Sequence, residues 1–205
     1  AACAALALDI AEFRLDTTGF VPGWRDCAAA LLATGKPVLL TLRHRTDRGA
    51  WNDTESARLS AYEASLPHVS AVDTEIRGEI VRPLVQIAHA AGKPVIGSFH
   101  DFDGLPPLDA LRSIIAQGFE TGVDIVKLAV RTDTPEALVA MTSLLAEARD
   151  HGPLCIVGMG TYGPESRVRL ALAGSCLTYG FADEANAPGQ LSSAELIARL
   201  RPAGT

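Results

Sequence analysis

Two rhythms alternate along this chain. Short apolar runs rich in Val, Ile and Leu are each followed by a longer stretch in which Ala and Leu return at helical spacing. The runs are LDIAEFRLD (8–16), KPVLLTLR (36–43), VSAVDTEI (69–76), KPVIGSFH (93–100), VDIVKLAV (123–130), GPLCIVGM (152–159) and SCLTYGFA (175–182). Between them lie amphipathic segments such as PEALVAMTSLLAEARD (135–150). This alternation predicts an α/β fold of parallel strands joined by crossover helices.

A weak internal repeat sets the size of the step. GKPVLLTLR starts at Gly35 and GKPVIGSFH at Gly92, with HGPLCIVGM from His151 as a looser third copy. In each, Gly stops a helix and Pro opens a strand. The copies lie two steps apart, so a β/α step takes about 28–30 residues, the length used by a (β/α)8 TIM barrel. Seven strands are visible. The first strand of the barrel is expected before Ala1, because AACAALAL reads as the tail of a helix already under way. No linker or low-complexity segment divides the chain, so residues 1–205 are expected to form a single barrel domain.

Composition narrows the function classes. The chain has 205 residues, 48% hydrophobic and 20% charged, with a net charge of −6. No Lys/Arg cluster offers a nucleic-acid surface. No apolar run reaches the ~20 residues of a membrane span. The four Cys are scattered at 3, 27, 155 and 176, which suggests a reducing cytoplasm rather than a disulfide framework. The five His show no metal-ligand spacing, so a zinc site is not expected.

Against this background the polar residues inside apolar strands stand out. Lys127 sits near the middle of GVDIVKLAV, where an unpaired ammonium group would cost several kcal/mol to bury. Glu12, Arg14 and Asp16 alternate along the first run, Arg43 ends the second, and Asp73 and Glu75 share a face of the third. Ser98 and His100 end the fourth, and Asp183 and Glu184 follow the last. Parallel strands bring such ends to one rim, where barrel enzymes keep their chemistry. Each residue alone also has a structural explanation: an ion pair for Lys127, a core hydrogen bond for His100, a Glu12–Arg14 pair. The segment GMGTYG (158–163) has the G-x-G-x-x-G form, and Asp183 lies about 20 residues on, as a dinucleotide fingerprint asks. Only 42 residues follow Gly163, too few for the rest of a doubly wound domain. A tight βα turn is the alternative.

Taken together, EFRLD (12–16), LLTLRHRTDRG (39–49), VDTEI (72–76), VIGSFHDFDGLP (95–106), VDIVKLAV, GMGTYGPESR (158–167) and ANAPGQL (185–191) resemble type I 3-dehydroquinate dehydratase, the Schiff-base enzyme of the shikimate pathway. The resemblance implies a cytoplasmic hydro-lyase that acts on the small molecule 3-dehydroquinate without a cofactor, with a homodimer among the expected assemblies. Lys127 would form the imine and His100 would be the general acid/base. Glu12, Arg14 and Arg43 would hold ring hydroxyls, Arg167 the substrate carboxylate, Gln190 would close over the ligand, and Asn186 would bind it by donating a hydrogen bond. Asp47, Glu75 and Met159 would support the site. Two departures stand out: Asn186 replaces the Ser of the family's Ser-Ala-Pro-Gly-Gln loop, and Arg48 stands in a Gly-Gly pair.

The chemistry suits these residue types. Dehydrating a β-hydroxy ketone requires loss of a proton beside the carbonyl, and an iminium is a better electron sink than a ketone. An apolar strand favours the neutral amine that must attack. One imidazole can both remove the proton and assist hydroxide loss. Another Schiff-base barrel enzyme such as an aldolase, and a non-catalytic binding barrel, are the other classes considered. The His-Asp-Phe and Ala-Pro-Gly-Gln loops speak against the aldolase.

Overall fold

The structure is a computed structural model that describes residues 8–182, 184, 185, 187 and 189–201. The described residues form an α/β chain of the (β/α) class in which six parallel strands follow one another in sheet order β1-β2-β3-β4-β5-β6. The chain divides into two compact units, Ala1–Gly97 with Glu120–Asp124, and Ser98–Phe119 with Ile125–Thr205.

Unit 1 carries β1 (Ala11–Arg14), the short helical turn α1 (Leu15–Thr18), α2 (Trp24–Ala33), β2 (Val38–Thr41), α3 (Glu55–Ser65), β3 (Ala71–Glu75), α4 (Val81–Ala90) and the first residues of β4 (Val95–Asp101). β1 pairs with β2 from Ala11↔Val38 to Arg14↔Thr41, and β2 with β3 from Leu39↔Ala71 to Thr41↔Asp73. Every residue of β2 is buried, as a parallel strand covered on both faces requires. α4 buries Val81, Leu84, Val85 and Ala88, a stripe at i, i+3, i+4 and i+7. The repeated Gly-Lys-Pro has a mechanical cause. Gly35 and Gly92 take φ of 77° and 68° after α2 and α4, a left-handed turn that Gly adopts without steric cost, and Pro then starts the extended approach to a strand.

Unit 2 carries the rest of β4, then α5 (Leu108–Glu120), β5 (Ile125–Arg131), α6 (Pro135–Glu147), β6 (Leu154–Met159), α7 (Gly163–Leu172) and α8 (Ser193–Leu200). β5 and β6 pair from Val126↔Leu154 to Arg131↔Met159. Lys127 is opposite Cys155, so Lys127 and Ala129 share a sheet face with Cys155, Val157 and Met159. Thr134 caps α6 by accepting from the Ala137 N–H at 3.2 Å, and Ser192 and Glu195 form a capping box on α8.

Six of the seven expected runs contain strands, each shorter than or slightly offset from its apolar run. Asp16 lies in α1 rather than on the first strand. Residues 175–182 form no ladder. Ser175 Oγ accepts from the Ile156 N–H at 2.9 Å, Thr178 Oγ1 donates to the Arg167 carbonyl at 3.1 Å, and regular pairing is reduced to one Phe181↔Ser192 bridge. The Ser175 hydroxyl here satisfies a β6 N–H that a neighbouring strand would have paired, and Thr178 ties the segment to the helix α7. In GMGTYG, Gly158 belongs to β6, and a Cβ there would press against Ser166 and Thr132 side chains. That glycine serves packing of β6 against α7. Asp183 lies outside the described residues, as does the segment before residue 8.

Candidate active site

In unit 1 the strand ends carry a dense ion-pair network. Arg14, the last residue of β1, chelates Asp16 through Nε and Nη2, both at 2.8 Å. The α1 turn makes this possible by folding Asp16 back toward the strand end. Asp16 also accepts from the Ala50 N–H at 3.1 Å. Burial alone would raise its carboxyl, but the Arg14 hydrogen bond and charge outweigh that and hold it below the ordinary value. Glu12 accepts from the Thr41 hydroxyl at 2.6 Å, across the β1–β2 pair.

Arg43, just past β2, is buried and donates to Asp73 at 2.6 Å, with Asp47 and Glu75 each at 3.5 Å. Burial opposes its charge, yet these carboxylates raise its pKa further above the usual arginine value. Glu75 ends β3 and is held by the His44 N–H at 2.9 Å and by Arg58 at 2.7 Å. Burial pushes its carboxyl up, but Arg43 and Arg58 push it down more, and the net shift is downward. Arg58 reaches in from α3, donates to Glu55 at 2.7 Å and to the Leu42 carbonyl at 3.0 Å, and is 1% exposed. Tyr62, one turn on, donates to the Asp73 carbonyl at 2.6 Å and accepts from the Leu42 N–H at 2.9 Å.

Unit 2 is built differently. Lys127 is 6% exposed on β5, and its Nζ lies 4.2 Å from the centre of the Tyr179 ring. Tyr179 also packs, with Phe102, Leu177 and Ala187, against a buried cluster of Ala129, Cys155, Val157 and Met159. Met159 is therefore part of the apolar wall on the sheet face that Lys127 occupies. His100, near the end of β4, is half-buried, with its ring stacked on Phe102 at 5.8 Å between centres and 12° between planes. The loop beyond it is fixed by Asp101, which accepts from the N–H groups of Asp103 and Gly104, both at 2.9 Å.

Arg167 lies on α7, 2% exposed. Its Nη1 donates to the Tyr179 carbonyl at 3.0 Å, and its Nε meets no acceptor among the described residues. Burial lowers its pKa to about 10. A desolvated guanidinium with a vacant donor suits an incoming carboxylate. Gln190 is half-buried just after Gly189, whose φ of 72° turns the chain, while Asn186 lies outside the described residues.

Of the residues expected from sequence, unit 1 brings together Arg43, Asp47 and Glu75 in one network and places Glu12 and Arg14 on the neighbouring strand. Unit 2 holds Lys127, His100, Met159, Arg167 and Gln190. Sequence reasoning did not single out Arg58 or Tyr179. Arg58 has a faint signature, a charged residue one helical turn before Tyr62 on the buried stripe of α3. Tyr179 lies in a run taken for a strand, and nothing local marks its ring as the partner of Lys127. Among the described residues no group of His, Cys, Asp and Glu could hold a metal ion, and no helix is long and apolar enough to cross a membrane.

Residues 1–204 match the family model described as Type I 3-dehydroquinase. The chain is 33% identical over 196 residues to the 3-dehydroquinate dehydratase of Methanothrix thermoacetophila, covering 96% of this chain and 82% of that one. It is 32% identical over 200 residues to the Klebsiella pneumoniae protein of the same name, covering 92% and 80%. Among solved structures it is similar to the type I 3-dehydroquinate dehydratase of Clostridium difficile with covalent modified comenic acid. That match has a TM-score of 0.84 and 26% identity, and covers 96% of this chain and 82% of that chain. With its strand-end motifs in the family's order and similarity along nearly its whole length, the chain belongs to the type I 3-dehydroquinase family.

Proposed function

We propose that this chain dehydrates 3-dehydroquinate to 3-dehydroshikimate through an imine on Lys127, with His100 moving the protons. The observation that carries the proposal is the setting of Lys127: a buried strand amine with its nitrogen against an aromatic face and an apolar wall beside it. An amine placed there can add to the carbonyl carbon of a ligand held against that wall.

In the first step Nζ adds to the ketone carbon and water leaves, giving an iminium. His100 then removes a proton from the adjacent carbon, and that electron pair moves into the C–N unit to give an enamine. The pair returns as the β-hydroxyl group departs, taking a proton from the His100 imidazolium as water. Hydrolysis of the new iminium releases the enone and restores the amine. Every proton taken by His100 is given back, so one residue suffices for acid and base.

We assign the substrate carboxylate to Arg167, whose vacant Nε and desolvated charge favour an anion. Gln190 is assigned to closure over the ligand and Asn186 to a hydrogen bond with it. Glu12, Arg14 and Arg43 are assigned to the ring hydroxyls, with Asp47 and Glu75 fixing Arg43 and Met159 lining the wall. We treat residues 1–205 as one functional domain because one family model covers both units. A place in the shikimate pathway, a cytoplasmic location suggested by the scattered cysteines, and a homodimer complete the reading.

The test is reductive trapping. Borohydride added with 3-dehydroquinate should fix one ligand to the peptide containing VDIVKLAV. Lys127→Ala should abolish both labelling and turnover. Lys127→Arg should fail as well, because a guanidinium cannot form the imine. Label on Lys36 or Lys93, or turnover at the wild-type rate in Lys127→Ala, would sink the proposal.

A further inference from the structure

We infer that the ring face of Tyr179 is a positioning and charge-stabilising partner for the Lys127 nitrogen, and that it favours the cationic iminium over the free ketone and amine. The inference rests on the reading that Lys127 carries the imine, and it adds a residue from outside the motifs that define the site.

The geometry is direct. Lys127 Nζ stands 4.2 Å from the Tyr179 ring centre, inside the ~6 Å within which a cation is attracted by a ring's quadrupole. The same nitrogen becomes the iminium nitrogen, so the ring faces an atom whose charge changes during the reaction. A carboxylate in that position would also attract the cation, but it would bind the resting ammonium strongly and could take up the proton itself. An aromatic face attracts more weakly, carries no net charge and accepts no proton. It also brings apolar surface to the side of the nitrogen it covers. It therefore stabilises the iminium without adding a negative charge beside the lysine.

The ring is held by more than packing. Its backbone carbonyl accepts from Arg167 at 3.0 Å, and the preceding Thr178 hydroxyl donates to the Arg167 carbonyl at 3.1 Å. Two residues before Tyr179, the Leu177 carbonyl accepts from Ser175 Oγ at 2.9 Å and from Cys155 Sγ at 3.4 Å. These contacts tie the irregular segment after α7 to β6 and to α7 itself. They also explain the lack of a strand at 175–182: the segment departs from the ladder and presents a ring to the neighbouring strand's lysine. The guanidinium assigned to the substrate carboxylate is thus bonded to the backbone that carries the ring, so substrate binding and nitrogen placement share one support.

The experiment reads the fraction of enzyme held as imine. Enzyme and 3-dehydroquinate are mixed, quenched with borohydride at intervals, and the reduced adduct is measured by intact-protein mass spectrometry. Wild-type labelling at Lys127 is established first, and its absence would overturn the imine reading and this inference with it. Tyr179→Phe keeps the ring and should hold the trapped fraction and kcat within about twofold of wild type. Tyr179→Leu removes the ring and should lower both by about 3- to 30-fold, the range expected for one cation–π contact. Its affinity for a carboxylate-bearing analogue without a ketone should not change, because that ligand forms no imine. Should the Leu variant fail to fold, 3,5-difluorophenylalanine at position 179 keeps the ring's size and weakens its face. It should trap several-fold less than the Phe variant. Trapping equal to wild type in the Leu variant, or equal to Phe in the fluorinated one, would overturn the inference. So would a loss of analogue binding in proportion to the loss of trapping, which would mean that the ring only maintains the shape of the site.

Discussion

In unit 1, Arg43 and Arg58 are buried among Asp47, Asp73, Glu75 and Glu55, and Arg14 is chelated by Asp16. In unit 2, Arg167 is as deeply buried, yet it meets one carbonyl and, among the described residues, no carboxylate. Lys127 has its nitrogen over a ring, and His100 stacks on another. The two units thus use the same residue types for opposite purposes. Charges matched by nearby opposite charges fix geometry, because removing one partner leaves another buried and exposed to its full desolvation cost. A buried guanidinium such as that of Arg167, whose Nε meets no acceptor among the described residues, retains affinity for an anion.

Substitutions that separate rate from stability test this contrast most severely. His100→Ala should lower kcat by about 10²–10⁴-fold while the protein remains folded and still forms a trappable adduct. Steady-state rates beside borohydride labelling check it, and near-normal turnover would move the base elsewhere. Arg58→Met and Arg167→Met then form a matched pair. Removing Arg58 strands Glu75 beside Arg43 alone, so unfolding in denaturant should show a loss of about 3–5 kcal/mol. Removing Arg167 takes away a buried charge that no carboxylate among the described residues offsets, so stability should hold or rise. Binding of a carboxylate-bearing ligand to that variant should weaken by about 2–5 kcal/mol. Equal destabilisation by the two would erase the distinction between the units.

How much of this was legible beforehand follows the range of the interactions. The β/α rhythm was legible because parallel strands are apolar throughout and helices are striped, both local properties. Lys127 and His100 were legible as polar residues in runs otherwise committed to burial. The Gly-Lys-Pro copies were legible because a left-handed Gly and a Pro leave a sequence trace. Partnerships were not. Arg58 reaches Glu75 over 17 positions, and Tyr179 meets Lys127 from a segment 52 residues away. Neither distance leaves a periodic signal. The strand expected at 175–182 has the right composition, but Ser175 and Thr178 offer the backbone other partners, a competition that hydrophobicity does not register. The strand placement of Asp16 failed for a related reason: the α1 turn bends it back onto Arg14.

The acid response should belong to unit 1. Asp16 and Glu75 both have carboxyl groups held below their ordinary values of 3.8 and 4.5 by neighbouring arginines, against the opposing effect of burial. A folded-state value below the unfolded one means that the unfolded chain binds the proton first. The stabilisation is complete above the unfolded values and is lost as pH falls from about 5 through the folded ones. Denaturation midpoints measured from pH 6 to pH 3 should therefore decline. Glu75→Gln should start lower and decline less steeply. A variant that follows the wild-type slope would show that the acid response originates elsewhere.

The smallest effect concerns backbone alone. Arg48 has φ 53° and ψ 28°, the one left-handed non-glycine among the described residues, and it stands where the family resemblance points to a Gly. It ends the short turn at 45–47, after which the Gly49 N–H donates to the His44 carbonyl at 3.0 Å. Gly49 has no such latitude, since a Cβ there would run into the Arg43 backbone. The turn must therefore close tightly, and Arg48 takes the strained conformation that lets it. Left-handed geometry costs an L-residue about 1–2 kcal/mol, while Gly gives back about 0.5–1 kcal/mol through its freer unfolded state. Arg48→Gly should therefore stabilise the protein by about 0.5 kcal/mol in denaturant unfolding, with kcat unchanged. Arg48→Ala keeps the strain and should bring no gain. If both variants behave alike, the side chain rather than the backbone governs this position, and the turn that presents Arg43 to its carboxylates is less constrained than its geometry implies.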